Sequence, residues 1–166
     1  MARVIAKLGD DISTDVIYPG RYMATVLSTE TPQFAFADNA ELNGRLKSKQ
    51  LPAGSVIAAG KNFGCGSSRE QACSCLKGYE LTIVARGFAR IFLQNSINLG
   101  LSLVTSPDFE AGEGDELEIT PDTVVNKTTG KSFAVVPLPK ARQAIIDAGG
   151  LVAYTRKRLL EAHGRA

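Results

Sequence analysis

A chain of 166 residues, 44% of them hydrophobic and 22% charged, has the size and composition of a globular protein with one sizeable core, and a single domain over residues 1–166 is expected. Nineteen basic against seventeen acidic residues leave a net charge of +2, too small and too dispersed to predict a nucleic-acid or membrane-surface partner. No apolar run reaches the roughly 20 residues of a bilayer-spanning helix, and the first residues lack a signal-peptide pattern, so the expected compartment is cytoplasmic.

Residues 2–8 alternate well enough for a first strand. Residues 9–17 follow as a polar loop carrying Asp10, Asp11, Ser13, Thr14 and Asp15. Three aspartates invite a divalent metal, but the spacing lacks the alternating ligands and closing Glu of an EF-hand. A turn held by Asx and Ser/Thr hydrogen bonds is the favoured local reading. Pro19-Gly20 turns the chain before Arg21, Tyr22, Met23, Ala24 and Thr25, and residues 33–49 read as a short helix around 34–39 and a basic surface loop. After a turn at 51–54, residues 55–59 form a short buried strand that runs into a glycine-rich loop and a helix over about 68–77.

Another buried strand is predicted at 81–85, a helix over 88–97 with Phe88, Ile91 and Phe92 on one face, a stop at Gly100, and a strand at 101–105. Strand, helix, strand, helix, strand implies a parallel sheet covered by helices. The pattern then changes: residues 115–120, 123–125 and 132–135 read as antiparallel strands, with 126–130 as a hairpin turn. Helices over 140–148 and 151–161 flank Gly149-Gly150, and the run Arg156-Lys157-Arg158 is the solvated face of the second. The expected class is therefore α/β, with a parallel core sheet, antiparallel strands and helices packed on the sheet.

Cys65, Cys73 and Cys75 are odd in number, and C-x7-C-x-C matches no common zinc or iron–sulfur spacing. The one histidine, His163, lies far away in sequence. No metal site is expected in this chain, and the cysteines read as small packing residues.

The chain is organised around Asn62-Phe63-Gly64-Cys65-Gly66-Ser67-Ser68-Arg69-Glu70. Two glycines permit turned backbone, and Ser67-x-x-Glu70 fits a capping box with Ser67 as N-cap. A helix opening there offers unpaired N–H groups to an anion, from a loop whose backbone is Gly64, Cys65 and Gly66. Arg69 adds a cationic fork suited to a carboxylate. The stretch is no P-loop, no dinucleotide fingerprint and no G-x-S-x-G elbow. It reads as a receptor for a small carboxylate or phosphate. Ser67 either caps the helix, the reading local physics favours, or takes a proton from a carbon acid with its alkoxide stabilised by helix N–H groups and a cation.

Residues 62–72, together with 10–17 and 88–100, resemble the aconitase-type swivel domain, and the length and residues 9–22 are similar to free-standing small subunits of 3-isopropylmalate dehydratases. The resemblance spans nearly the whole chain and also takes in 148–151. It implies a swivelling β/β/α fold of three layers, docked on a large subunit that holds a 4Fe–4S cluster through three cysteines. The implied reaction is a reversible dehydration and rehydration of a malate-like dicarboxylate, with iron holding the departing hydroxyl. On the matching positions, Ser67 removes the carbon-bound proton, Arg69 grips a substrate carboxylate, Ser68 lines the pocket, and Thr14 and Asp15 stand at its rim. Cys65, Cys73 and Cys75 match no cluster ligand.

The chain departs from that pattern at Gln71-Ala72-Cys73, where leucine-pathway subunits usually read His-Ala-Pro. Residues 21–25 correspond to the loop that senses the substrate's variable group. Homoaconitase-type subunits tend to carry an arginine there, whereas Ala24 brings no charge, so isopropylmalate fits best. Dimethylmalate, citramalate and homoaconitate stay open as alternatives, as does a non-catalytic anion-binding module. RNA binding is disfavoured by the near-neutral charge.

Overall fold

The computed structural model describes residues 1–48 and 51–163. Its frame is one seven-stranded mixed sheet in the order β4-β3-β2-β1-β5-β6-β7. Strand β1 (Ala2–Lys7) is the pivot, pairing parallel with β2 (Val56–Ala59) on one edge and antiparallel with β5 (Glu116–Ile119) on the other. Strands β2, β3 (Thr82–Ala85) and β4 (Ser102–Thr105) continue in parallel, while β5, β6 (Thr123–Asn126) and β7 (Ser132–Ala134) form an antiparallel meander. Sequence dictates the contrast. Strand β2 is Val-Ile-Ala-Ala and buried at every position, as a strand covered on both faces must be, whereas β5 alternates buried and exposed residues.

The period of two along the parallel strands divides the interior into two clusters. Ile57, Ala59, Ile83 and Ala85 face the helices, packing with Ala72, Cys73, Leu76 and Phe92. Val4, Val56, Ala58 and Val84 point the other way and meet Phe109, Leu117 and Val124. The antiparallel strands therefore lie against the second face of the parallel sheet. Val136 N–H donates to Thr105 O at 2.8 Å, tying the end of the meander back to β4. The result is the expected β/β/α layering.

Helices α3 (Glu70–Lys77) and α4 (Arg90–Leu99) cover the parallel half, and α4 ends at Gly100, whose φ of 73° is left-handed. Helices α5 (Lys140–Asp147) and α6 (Leu151–His163) follow the meander; α6 contains no buried residue. Among the described residues no helix is long and apolar enough to cross a membrane.

Two local expectations fail. The polar loop after β1 contains one helical turn, α1 (Thr14–Ile17), with the Ser13 hydroxyl accepting from Val16 N–H. The helix expected at 34–39 lies later, as α2 (Ala40–Lys47), behind a 3₁₀ turn at Thr31–Phe34. Asn39 is its N-cap, accepting from Leu42 N–H at 3.0 Å, and Leu42 and Leu46 bury one face at i, i+4 spacing. The basic residues of this stretch had masked that short apolar stripe. Lys49, the end of the expected basic loop, lies outside the described residues.

Candidate active site

The parallel ladder does not stop where the strands do. Leu8 N–H donates to Ala58 O (2.8 Å), Gly60 to Gly9 O (3.0 Å), Asp11 to Lys61 O (2.9 Å), Gly64 to Ile12 O (2.7 Å) and Thr14 to Cys65 O (2.8 Å). On the opposite edge Phe63 N–H donates to Gly87 O (3.0 Å) and Ala89 N–H to Phe63 O (2.9 Å). Residues 60–65 thus run between 8–14 and 87–89, at the carboxyl ends of the parallel strands, where α/β sheets characteristically bind ligands. At Gly64 the loop's course leaves no room for a side chain: φ is 82°, and a Cβ there would stand 2.5 Å from Phe92 Cβ.

The three aspartates do not turn back on their own loop. Asp10 accepts from Lys61 N–H (2.7 Å), Asp11 accepts from the Asn62 amide (2.7 Å), and Asp15 pairs with Arg69. They stitch the first loop to the second. Of the expected Asx and Ser/Thr hydrogen bonds within the loop, the Asx part is replaced by these longer contacts, and the Ser/Thr part stands in the Ser13 cap.

The capping box at Ser67 does not form. Helix α3 starts at Glu70, with Arg69 as N-cap and no side-chain cap. Two side chains hold the preceding residues instead: the Thr14 hydroxyl accepts from Ser67 N–H (3.1 Å), and the Asn95 amide donates to Ser68 O (3.1 Å). Ser67 and Ser68 are exposed, and among the described residues the Ser67 hydroxyl and the N–H groups of Ser68 and Arg69 have no hydrogen-bond partner. A hydroxyl free of capping duty therefore sits beside two open amides at the positive end of α3.

Arg69 is largely covered, its side chain only 16% exposed, and Nη1 is engaged by Asp15. Its Nε is buried without a partner, a state that costs about 1–3 kcal/mol. Gly20 stands beside it, where a Cβ would lie 3.4 Å from Arg69 Nη2. Thr14 is 1% exposed and lies beneath the loop, not at its rim.

Residues 20–25 meet the start of α3 from one side. Tyr22 stacks on Phe34 (centroids 4.1 Å apart), and the Tyr18 hydroxyl donates to Tyr22 O at 3.1 Å and lies 3.5 Å from Thr25 O. The Gln71 amide donates to Met23 O at 3.4 Å. Met23 and Ala24 are exposed, and Tyr22 and Thr25 half-buried. Of the sequence candidates, Ser67, Ser68, Arg69, Asp15 and residues 22–25 gather here. Sequence reasoning missed Asn95, Tyr18 and the Gln71 contact. Asn95 lies in a stretch singled out for its pattern, but nothing in that pattern marks an amide as reaching 27 residues back.

The cysteines do not suit an iron–sulfur cluster. Cys73 and Cys75 are fully buried, and burial pushes the Cys73 thiol up to about 12 and the Cys75 thiol well above its ordinary value, the reverse of what a thiolate ligand needs. The Cys65 thiol donates to Asp11 O at 3.4 Å. No group of three or more His, Cys, Asp and Glu gathers at metal-binding distance among the described residues.

Residues 5–108 match the aconitase C-terminal domain family. A 3-isopropylmalate dehydratase small subunit from Methanosarcina mazei is 40% identical over 163 residues, which cover 93% of this chain and 96% of that protein. An isopropylmalate/citramalate isomerase small subunit from Methanocaldococcus jannaschii is 39% identical over 161 residues, 94% of each. A crystal structure of 3-isopropylmalate dehydratase from the latter organism superposes with a TM-score of 0.87 at 36% identity, over 99% of this chain and 98% of that one. The chain belongs to the aconitase C-terminal domain family and, within it, to the proteins named as small subunits of 3-isopropylmalate dehydratase.

Proposed function

We propose that this chain is the small subunit of a hydro-lyase that interconverts 2-isopropylmalate and 3-isopropylmalate in leucine biosynthesis, and that it is inactive until a large subunit completes its site. The observation that carries the reading is the exposed Ser67 hydroxyl, without a partner among the described residues, next in the chain to the open amides of Ser68 and Arg69, with Arg69 two residues on. In water a serine alkoxide is too costly to form. The two amides, the dipole of α3 and the nearby cation supply the stabilisation an oxyanion needs. Ser67 then takes the proton from the carbon next to a substrate carboxylate. The C–H electron pair becomes the C=C bond as hydroxide leaves the neighbouring carbon, and readdition in the opposite sense completes the isomerisation. Arg69 holds a carboxylate of the substrate, and Ser68 and Asp15 border the same space.

The variable group faces residues 22–25. Tyr22, Met23, Ala24 and Thr25 bring no charge, and the nearest cation in that segment, Arg21, is taken by Asp38 and lies over the Tyr22 ring. This supports an apolar substituent such as isopropyl and argues against the additional carboxylate of homoaconitate. Citramalate is the second reading, favoured by the small Ala24 and by the name of the M. jannaschii relative.

The cluster that the family's chemistry uses finds no ligand set in Cys65, Cys73 and Cys75, so we assign it to the large subunit. Exposed Val16, Met23, Val26 and Leu27 lie in the segment that carries Asp15 and residues 22–25 and supply the apolar surface that subunit would cover. Three free thiols, two of them deeply buried, fit the reducing cytoplasm.

The test is to purify the chain, mix it with the large subunit from the same source, and assay isopropylmalate, citramalate, dimethylmalate and homoaconitate. Turnover only in the mixture, with the highest kcat/KM on isopropylmalate, is expected. Turnover by the chain alone, or none in the mixture with any of the four, contradicts the proposal.

A further inference from the structure

We infer that Asn95 is a positioning residue for the reaction, acting by fixing the peptide plane that presents the Arg69 N–H. The inference rests on the function proposed above. In a planar trans peptide the carbonyl and the following N–H point in opposite directions. The Asn95 amide holds Ser68 O at 3.1 Å, drawing that carbonyl toward α4 and turning the Arg69 N–H away from it. The acceptor is a carbonyl, so the group facing it must be the amide nitrogen, which fixes the Asn95 orientation. Two peptides earlier, the buried Thr14 hydroxyl takes Ser67 N–H at 3.1 Å. The Ser67-Ser68 segment is therefore pinned at both ends: the reactive hydroxyl and the Ser68 N–H lie between the pins, and the Arg69 N–H lies on the second pinned peptide itself.

The hold is rigid because of what else α4 supports. Phe92, three residues before Asn95 on adjoining turns, is 2% exposed and fills the space under Gly64. Ala89, just before the helix, donates its N–H to Phe63 O at 2.9 Å. The helix that bears the base of the loop thus also aims its open end. Nothing local does this work in its place, since α3 begins without a side-chain cap. An amide aimed at an oxyanion acts in the transition state far more than in the bound substrate, so its effect belongs in kcat.

Asn95→Asp is nearly isosteric but cannot donate, and its charge repels the Ser68 carbonyl; Asn95→Ala removes the contact without adding charge. Each variant is reconstituted with the large subunit alongside Ser67→Ala and Gln94→Ala, whose native amide points instead to Asn98 Oδ1 at 3.0 Å. The expected result is a fall in kcat of about 10- to 100-fold for both Asn95 variants with KM within about twofold, and wild-type behaviour for Gln94→Ala. Crystals of the Asn95 variants should show the Ser68–Arg69 peptide rotated. Normal kcat in the Asn95 variants while Ser67→Ala is inactive overturns the inference and leaves the proposed function standing. Equal losses through KM, or an unrotated peptide, overturn it too. Full activity in Ser67→Ala removes the role given to that hydroxyl instead, and the peptide orientation still decides the role of Asn95.

Discussion

Two polar turns at different places in this fold use side-chain hydrogen bonds to opposite ends. In the β6–β7 hairpin and the turn before β5 the polar groups close on one another. Asn126, fully buried, accepts from Thr128 and Thr129 N–H (both 3.1 Å) and donates to Asp115 (2.7 Å), which also takes Gly112 N–H (2.7 Å). In the serine loop Asp10, Asp11, Thr14 and Asn95 are just as fully committed, yet Ser67 Oγ, two amides and Arg69 Nε are left over. A hairpin uses polarity to finish folding. The serine loop uses it to hold unfinished polarity open, and that remainder is where a ligand belongs.

The comparison predicts that changes in the serine loop cost activity and changes in the hairpin cost stability. Ser67→Ala should lower turnover of the reconstituted enzyme by about a thousandfold or more while the melting temperature of the subunit stays within about 2 °C. Arg69→Lys keeps the charge but loses the fork that serves Asp15 and a carboxylate together. A loss of roughly 10- to 100-fold in kcat/KM, mostly through KM, is expected in steady-state kinetics.

Asn126→Ala should show the converse: a stability loss of about 2–4 kcal/mol by denaturant titration, as buried partners lose their bonds, with activity per folded molecule unchanged. Asp115 gives the hairpin a pH signature. The Gly112 N–H first, then the Asn126 amide and Lys7, hold its carboxyl below the usual carboxylate range. A depressed folded value means its contribution is complete above the unfolded value of about 3.9 and is lost as pH falls through the folded one. Melting temperature should therefore fall more steeply below about pH 4 in wild type than in Asp115→Asn. The smallest effect concerns thiols: a mild aromatic disulfide should titrate Cys65 alone in the native subunit, and all three cysteines once it is unfolded.

Much of this was legible in the residues. The run from β2 to β4 announces itself through short apolar strands, a glycine-rich turn and Gly100, and its parallel pairing follows from connection rules. The hairpin at 126–130 is equally plain. What misled was local logic applied where distant partners win. Ser67-x-x-Glu70 has the spelling of a capping box, but Thr14 and Asn95, 53 and 27 residues away, pull the backbone off the helical path. Asp10, Asp11 and Asp15 look like a self-contained turn, but their acceptors find donors some fifty residues on. Helix α2 was hidden because only two leucines, set among Glu41, Arg45 and Lys47, mark the face that it buries. Residue types reveal the chemistry on offer, whereas which groups stay unpaired depends on tertiary contacts that no window of sequence contains.

The most direct test of the central claim follows hydrogen at the reacting carbon. The enzyme reconstituted with its large subunit is incubated with isopropylmalate in deuterium oxide, and label in recovered substrate and product is measured by mass spectrometry, for wild type and for Ser67→Ala. The account predicts deuterium at the carbon that loses its proton in wild type and none above background in the variant, although the variant still assembles and binds substrate. Equal labelling in the two would mean that another group takes the proton, and the role given to Ser67 would be wrong.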